Sequence, residues 1–360
     1  MNNKLPEFYR DKTVLITGHM GFKGTWLTAL LVEMGAKVIG YGLDNEVRPS
    51  VFAISNLEEE IISVEGDVCD FEHLQRTFQA YQPQVVFHLA AQPIVRTSYE
   101  DPVGTYQTNV MGTVHVLECV RLCESVKSLV NVTTDKVYLN REMDYAYVET
   151  DILNGFDPYS NSKSCSELVT SSYRNAFFQK RELGISTARA GNVLGGGDFS
   201  KDRIMSDCVR CKMLDQTIII RNPESIRPYQ YVLDALYAYL LIGASQYGKR
   251  VASDEYNVGP RRKDCVTTRE LVELFCKEWE GAKWESQLND GPHEAGYLKL
   301  NSDKIEKKLG YQPIFSIQET VKALVIWSKA FDMGEEMQDI MKQQVRSYLL
   351  TRNEGVEWKE

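Results

Sequence analysis

No stretch of the sequence approaches the roughly 20 apolar residues that span a bilayer. The longest candidate, LYAYLLIGA at 236–244, is too short and reads as a buried helix. The opening segment MNNKLPEFYRDK lacks the apolar middle of a signal peptide. No membrane partner is expected, and a cytoplasmic setting is. Positive charge is also in short supply: 41 Lys and Arg stand against 50 Asp and Glu, for a net charge of −9. A general nucleic-acid binder needs a cationic face, so no nucleic-acid partner is expected. A local basic pocket for a small anion stays open. Metal-ligand patterns are sparse too. Cys208 and Cys211 form CVRC, and Cys119 and Cys123 lie one turn apart, but no second CxxC or paired His accompanies them. A structural zinc takes four ligands. The eight cysteines therefore read as small core hydrophobes, and no metal is expected. There is no internal repeat and no low-complexity tract.

What is present is an ordinary soluble composition, 43% hydrophobic and 25% charged, over 360 residues. Short β-branched apolar runs alternate with helical periodicity. The runs are TVLITG (13–18), AKVIGYGLD (36–44), IISVEGDV (61–68), QVVFHLAA (84–91), SLVNVTT (128–134) and ISTARAGNV (185–193). Helical segments fall between them, with long ones at 103–124 and around 158–182. This alternation predicts an α/β fold of the Rossmann type, a doubly wound parallel sheet covered on both faces. Ligands bind such a sheet beyond the carboxyl ends of its strands. After about residue 193 the pattern loosens, beginning with the glycine-rich GNVLGGGDF. Helical stretches follow at 203–215, 232–247 and 267–280. Residues 1–192 are expected to form a dinucleotide-binding domain that carries the catalytic residues. Residues 193–360 are expected to form mainly a smaller, mixed α/β substrate lobe, with the chain crossing back to the sheet around 230–260. The charged, helix-prone end at 335–360 is expected to fray.

TVLITGHMGFKGTWL places Gly18, Gly21 and Gly24 between the first strand and an amphipathic helix. The first glycine makes the tight turn, the second lets the backbone approach a pyrophosphate, and the third lets helix and strand pack closely. The phosphates then meet unpaired amides at the helix N-terminus. Met20 and Phe22 in this loop read as packing side chains whose backbone amides are still available to phosphate. Asp44, twenty residues after Gly24, stands where an acid hydrogen-bonds the ribose hydroxyls of NAD. Arg48 is close enough to take the 2′-phosphate of NADP, so NAD is favoured and NADP stays open. Asp67 either faces the adenine amino group or caps the following FEHLQ helix.

DPYSNSKSCSEL supplies Tyr159 and Lys163, four apart and on one helix face. A phenol is a poor base at its free pKa of about 10. A lysine ammonium one turn away and a positive nicotinamide ring are expected to lower it. The pair then suits removal of an alcohol proton as hydride leaves carbon. Arg203, Arg221 beside Asn222, and Arg227 cluster in an otherwise acidic chain, and Asn192 follows the sixth strand. Guanidinium groups suit bidentate phosphate binding, so an anion pocket is expected there.

TGHMGFKG, GDV, HLAAQP, TNVMGT, TTDKVY, YSNSK and RAGNVLGGGD, in this order and spacing, resemble the extended short-chain dehydrogenase/reductase family, in its branch of nucleotide-sugar dehydratases and epimerases. The resemblance covers nearly the whole chain. It implies a dinucleotide site formed by Gly18, Gly21, Phe22, Lys23, Gly24, Asp44, Asp67, Val68, Leu89, Ala90, Ala91 and Thr108, with Tyr159 and Lys163. It implies catalytic roles for Thr134, Asp135 and Lys136 beside that pair. Thr134 resembles the hydroxyl residue that shares the sugar 4-OH with Tyr159. Related dehydratases carry an Asp-Glu pair next, as acid at the C6 hydroxyl and base at C5. Here it is Asp135-Lys136. HMGFKG, AAQPIVRTSYEDP, TDKVYLNRE, IIIRNPESIRP and HEAGYLKL narrow the resemblance to the branch acting on CDP-glucose, which has that lysine.

The implied activity is a hydro-lyase reaction from CDP-glucose to CDP-4-keto-6-deoxyglucose, with NAD as cofactor and a nucleotide sugar as partner. A semi-buried lysine with a lowered pKa is a usable base at C5. The implied substrate contacts are Gln92, Asn192, Arg203, Arg221, Arg227, His293 and Tyr297. His293 is not expected to bind metal. Packing of the two long helices against the same pair in a second subunit implies a homodimer or tetramer. Val137, Leu139, Tyr229, Tyr231 and the loop NREMDYAYVETD depart from the family pattern, at places expected to line or approach the sugar pocket. The alternatives are another nucleotide-hexose 4,6-dehydratase, a nucleotide-sugar 4-epimerase on the same fold, or a non-catalytic dinucleotide sensor. The sensor would be expected to have lost Tyr159 or Lys163, and both are present.

Overall fold

The six β-branched runs and a seventh segment, Glu255–Val258, form seven parallel strands. In chain order, with the helices between them, the elements are β1 (Thr13–Thr17), α1 (Phe22–Glu33), β2 (Lys37–Gly42), β3 (Ile62–Glu65), α2 (Phe71–Tyr81), β4 (Val85–His88), α3 (Gly112–Leu122), β5 (Ser128–Val132), α4 (Pro158–Ala176), β6 (Gly184–Ala190), α5 (Ile204–Met213), α6 (Val232–Ser245), β7 (Glu255–Val258), α7 (Thr268–Glu278), α8 (Ile317–Asp332) and α9 (Met337–Glu354). The computed structural model describes residues 5–44, 48–287, 296–355 and 358. The sheet order is β7-β6-β5-β4-β1-β2-β3. β1 pairs in register with β2 on one side (Thr17 with Tyr41) and β4 on the other (Thr17 with His88). The strand order therefore reverses at β1, and the crevice beyond Thr17 and His88 is where such a sheet binds ligand.

Both faces are covered, which is why the strands read as continuous apolar runs. Side chains alternate with period two. Val14 and Ile16 join the core under α1, α6 and α9, with Trp26, Leu30, Leu236 and Leu240. Leu15 faces the opposite layer with Leu74, Phe78, Val116 and Val120. A third core, of Met205, Cys208, Leu271, Phe275, Val321 and Leu324, joins α5, α7 and α8. Cys119, Cys123 and Cys208 are buried in these cores. Among the described residues no group of three or more His, Cys, Asp or Glu side chains could hold a metal ion. None of their helices is long and apolar enough to cross a membrane.

Two elements differ from the expectation. The continuous helix expected at 103–124 is a short helix, Pro102–Tyr106, then a single π-helical turn, Gln107–Met111, then α3. Asn109 in that turn is buried, accepting from the Gln92 amide at 2.9 Å and donating to Ser162 Oγ at 2.9 Å. The widened turn aims this side chain at both neighbours. Within the charged end, Met337–Glu354 is not frayed but packed as α9. Met337, Met341, Val345, Tyr348 and Leu349 form one apolar stripe, and all five are buried. Tyr348 also donates to the buried Asp234 at 2.9 Å.

Candidate active site

The turn after β1 is shaped by close approach. Gly18 has φ +75°, and a Cβ there would lie 2.7 Å from the Ala90 nitrogen. A Cβ on Gly24 would lie 2.1 Å from the Gly18 carbonyl oxygen. These glycines keep the loop flat against the start of α1. Gly21, the N-cap of α1, supplies no side-chain cap, so the first amides of the helix stay open to an anion. Phe22 and Lys23 stand at this start and also line the large cavity described below. The cradle fits the pyrophosphate of a dinucleotide.

Of the other residues expected at the dinucleotide, Leu89 and Ala90 are tied to β1. The Leu89 amide donates to the Thr17 carbonyl at 3.1 Å, and the Ala90 amide to Thr17 Oγ1 at 3.3 Å. Ala91 follows directly. Asp44 is exposed and pairs with Arg48 at 2.6 Å. The acid expected at the ribose and the cation expected at a 2′-phosphate thus engage each other. Asp67 Oδ1 accepts the Cys69 amide at 2.8 Å, while Asp70 caps α2 by accepting from the His73 amide at 3.0 Å. The capping alternative for Asp67 is therefore incorrect, because Asp70 stands nearer the helix start. Val68 is buried, and its carbonyl meets His115 Nδ1 at 2.9 Å. Thr108 lies in the π-helical turn beside Cys69.

Asp157 caps α4, accepting from the Ser160 amide at 2.9 Å, and Pro158 opens the helix. That start points Tyr159 into the cavity and buries Lys163 one turn later. Lys163 Nζ donates to the Val132 carbonyl at 3.3 Å. Beyond β5, Thr134 caps a short 3₁₀ turn, Asp135–Val137. Thr134 Oγ1 donates to Asp135 Oδ1 at 2.9 Å and also faces the Tyr159 phenol. Ser164 on α4 donates to the Val137 carbonyl at 2.8 Å, holding turn and helix together. Thr134, Asp135, Lys136 and Tyr159 all line one cavity of about 650 Å³.

Burial sets the proton affinities. It lowers the Lys163 amine to about 7, with Lys23 adding to the effect. It lowers Lys23 to about 8, with Arg203 adding. It raises Asp135, against the pull of Lys136. Oδ2 of Asp135 is buried with no hydrogen-bond partner. Tyr159 is pushed up to about 12, again by burial, with Thr134 and Arg203 opposing. The expected lowering of the phenol by its lysine neighbour is thus outweighed by desolvation. Lys163 itself is held near neutrality and turned to a carbonyl. A buried chain of hydrogen bonds runs from the glycine turn to α4: Thr17 to His88 at 2.7 Å, His88 to Thr113 at 3.2 Å, Thr113 to Ser166 at 3.0 Å. Burial, then Lys163, lowers His88 to about 3, so it relays as a neutral ring.

The same cavity gathers Asn192, Arg203, Arg221 and Arg227. Arg203 pairs with Asp198 at 2.8 Å and lies near Tyr159, while Arg227 lies near Asp135. Both therefore reach the reacting end of the cavity. Gln92 is not brought there. Its amide nitrogen donates to Thr105 at 2.9 Å and its oxygen accepts from the Ile94 amide at 2.6 Å, so the side chain is spent on its own loop. Tyr297 is also apart from the cavity, bonded to Asp144 under Lys299. His293 lies outside the described residues. Of the four single-residue departures from the family pattern, Tyr229 lines the cavity, whereas Val137 and Tyr231 are core residues. Leu139 is held by its amide to the Ile152 carbonyl.

Sequence reasoning missed Arg96 and Asp202, which line the cavity, and Glu167, which accepts from Thr133, Thr187 and Arg189 behind the site. Glu167 had a signal: it follows Lys163 by four, continuing the Tyr159–Lys163 helix face. Arg96 and Asp202 had none, since neither spacing nor composition marks them.

Residues 15–324 match the family model described as GDP-mannose 4,6 dehydratase. The chain is 44% identical to the CDP-glucose 4,6-dehydratase of Salmonella typhimurium over 349 residues, covering 95% of this chain and 97% of that one. In structure it resembles an epimerase from Methanothermobacter thermautotrophicus, with a TM-score of 0.79 and 24% identity over 92% of this chain and 96% of the other. It also resembles dTDP-glucose 4,6-dehydratase from Bacillus anthracis in complex with NAD, with a TM-score of 0.76 and 20% identity over 90% and 99%. Both likenesses show the fold.

Proposed function

The chain belongs to the family of the GDP-mannose 4,6-dehydratase model, and from that premise we propose that it is a hydro-lyase converting CDP-glucose to CDP-4-keto-6-deoxyglucose and water with NAD. The observation that carries this reading is the meeting of Tyr159, Thr134, Asp135 and Lys136 in one cavity. Epimerisation at C4 needs the phenol, but not an acid and an amine beside it. The 44% identity to a CDP-glucose enzyme supports the nucleotide.

Bound NAD supplies the acceptor for hydride from C4 and its return at C6. Tyr159 and Thr134 hold the C4 hydroxyl, and Tyr159 takes its proton as the ketone forms. The ketone acidifies C5–H; Lys136 removes that proton and returns one to C5 after the water has left. Asp135, its carboxyl raised by burial, retains a proton for the departing C6 oxygen. Burial alone would keep Tyr159 protonated, and a positive nicotinamide ring bound against it would oppose that and favour the phenolate. The Asp44–Arg48 pair supports NAD over NADP, because the cation that would attract a 2′-phosphate is already engaged. Gly18, Gly21, Gly24 and the first amides of α1 hold the pyrophosphate.

In this reading residues 1–192 hold the cofactor and catalytic groups, and 193–360 mainly hold the nucleotide sugar. Exposed Val103, Met111 and Leu168 on the helical segment 102–122 and on α4 support pairing with a second copy through these helices. None of the eight cysteines is disulfide-bonded, which supports a reducing, cytoplasmic setting. The test is a panel of CDP-, dTDP-, UDP- and GDP-glucose with mass spectrometry of the products. The expected outcome is loss of water from CDP-glucose in preference to the others. An isomer without water loss, or preference for another nucleotide, overturns the reading.

A further inference from the structure

The cavity lining carries an ion cluster with no role in the steps above. Asp202 Oδ1 lies 3.4 Å from Arg96 Nη1 and 3.6 Å from Arg221 Nη1. One carboxylate oxygen thus sits between two guanidinium groups from distant elements. Arg96 lies on the short helix Val95–Glu100 that follows β4, and Arg221 lies just after the strand Ile218–Ile220. All three side chains are partly exposed and line the cavity. Among the described residues neither arginine has another hydrogen bond or ion pair. Both contacts exceed good hydrogen-bond length, so the carboxylate is held by charge rather than by a fitted fork. Arg203 next door is different, with a 2.8 Å bond to Asp198.

The lining as a whole carries six cations (Lys23, Arg96, Lys136, Arg203, Arg221, Arg227) against four carboxylates (Asp135, Asp198, Asp202, Asp207). That positive surplus stands in a chain of net charge −9. A low-dielectric cleft focuses such a field on an incoming anion. A diphosphate offers each guanidinium two oxygens, which a single shared carboxylate oxygen cannot.

We propose that Arg96 and Arg221 clamp the diphosphate of the incoming nucleotide sugar, and that Asp202 is the resident anion which that diphosphate displaces. The proposal rests on the reading of the substrate as a nucleotide diphosphate sugar. Asp202 is then a brake on affinity, and Arg96 is a substrate ligand contributed by the sheet side of the cleft.

The test is isothermal titration of the full chain with CDP and with cytidine, for wild type, Asp202→Asn and Arg96→Gln. Asn suits the left-handed backbone of residue 202, φ +61°, so that variant keeps the loop conformation. Asp202→Asn is expected to tighten CDP about three- to tenfold, and Arg96→Gln to weaken it about tenfold, with both effects shrinking in high salt. Cytidine affinity is expected to stay the same in both variants. The proposal is overturned if Asp202→Asn leaves CDP affinity unchanged or lower, or if Arg96→Gln shifts cytidine as much as CDP. Parallel titrations with dTDP, UDP and GDP separate the two readings. If another diphosphate binds more tightly than CDP yet responds to the same variants in the same way, the base assignment fails and the clamp stands.

Discussion

Glu167 and Arg189 form an ion pair of 2.8 Å with both side chains almost wholly buried, at 1% and 3% exposure. The other carboxylate oxygen accepts from Thr133 Oγ1 at 2.5 Å, directly before the Thr134-Asp135-Lys136 turn. Arg189 continues to the Tyr138 hydroxyl at 2.9 Å, and that hydroxyl to Asn257 at 2.6 Å. β5, β6 and β7 are thus locked together behind the site. Removing one member strands a buried charge. Glu167→Leu is expected to lower unfolding stability by about 3–5 kcal/mol, and Glu167→Leu with Arg189→Met to restore much of it. Denaturant unfolding of the two variants checks this.

Tyr159→Phe removes only the phenol oxygen from the cavity wall. Turnover of CDP-glucose is expected to fall by about 10²–10⁴-fold, with CDP affinity little changed. Steady-state kinetics beside CDP titration checks it, and full turnover by the Phe variant would contradict the assignment.

Lys163 gives stability a pH signature. Its folded pKa of about 7 lies below the usual lysine value of 10.5. Between those values the unfolded chain holds a proton that the folded chain lacks, so this group makes stability rise with pH across that window. Below pH 7 the full cost of burying the ammonium is present. Lys163→Met is therefore expected to gain stability at pH 6 relative to pH 10 by a few kcal/mol, at ~1.4 kcal/mol per pKa unit. Thermal unfolding of both proteins at the two pH values measures it.

Gly24→Ala would place a methyl 2.1 Å from the Gly18 carbonyl oxygen, a backbone atom that cannot swing aside. The expected result is a loss of about 1–3 kcal/mol together with weaker NAD binding. Unfolding and NAD titration report the two effects separately.

Much of this site is legible in the sequence because its parts are local. The glycine turn, the Asp157-Pro158 helix start and the Tyr159–Lys163 spacing each depend on a few adjacent residues. What escaped depends on pairings across the fold. The Asp202 cluster joins residues 96, 202 and 221. Gln92 turns into its own loop, its side chain bonded to Thr105 and to the Ile94 amide. The phenol's raised pKa reflects an enclosure that no spacing reveals. The α9 stripe was readable at helical spacing, but the charge around it disguised a core helix as a loose end.

Asp135 and Lys136 are assigned the elimination of water across C5 and C6 in the cavity they share with Tyr159. Turnover of CDP-glucose in D₂O, read by mass spectrometry and NMR, tests it most directly. The expected product is lighter by one water and carries a single deuterium at C5, with that exchange abolished by Lys136→Met more strongly than C4 oxidation. An isomer that keeps its water, or a dehydrated product formed equally well by Lys136→Met, would contradict it.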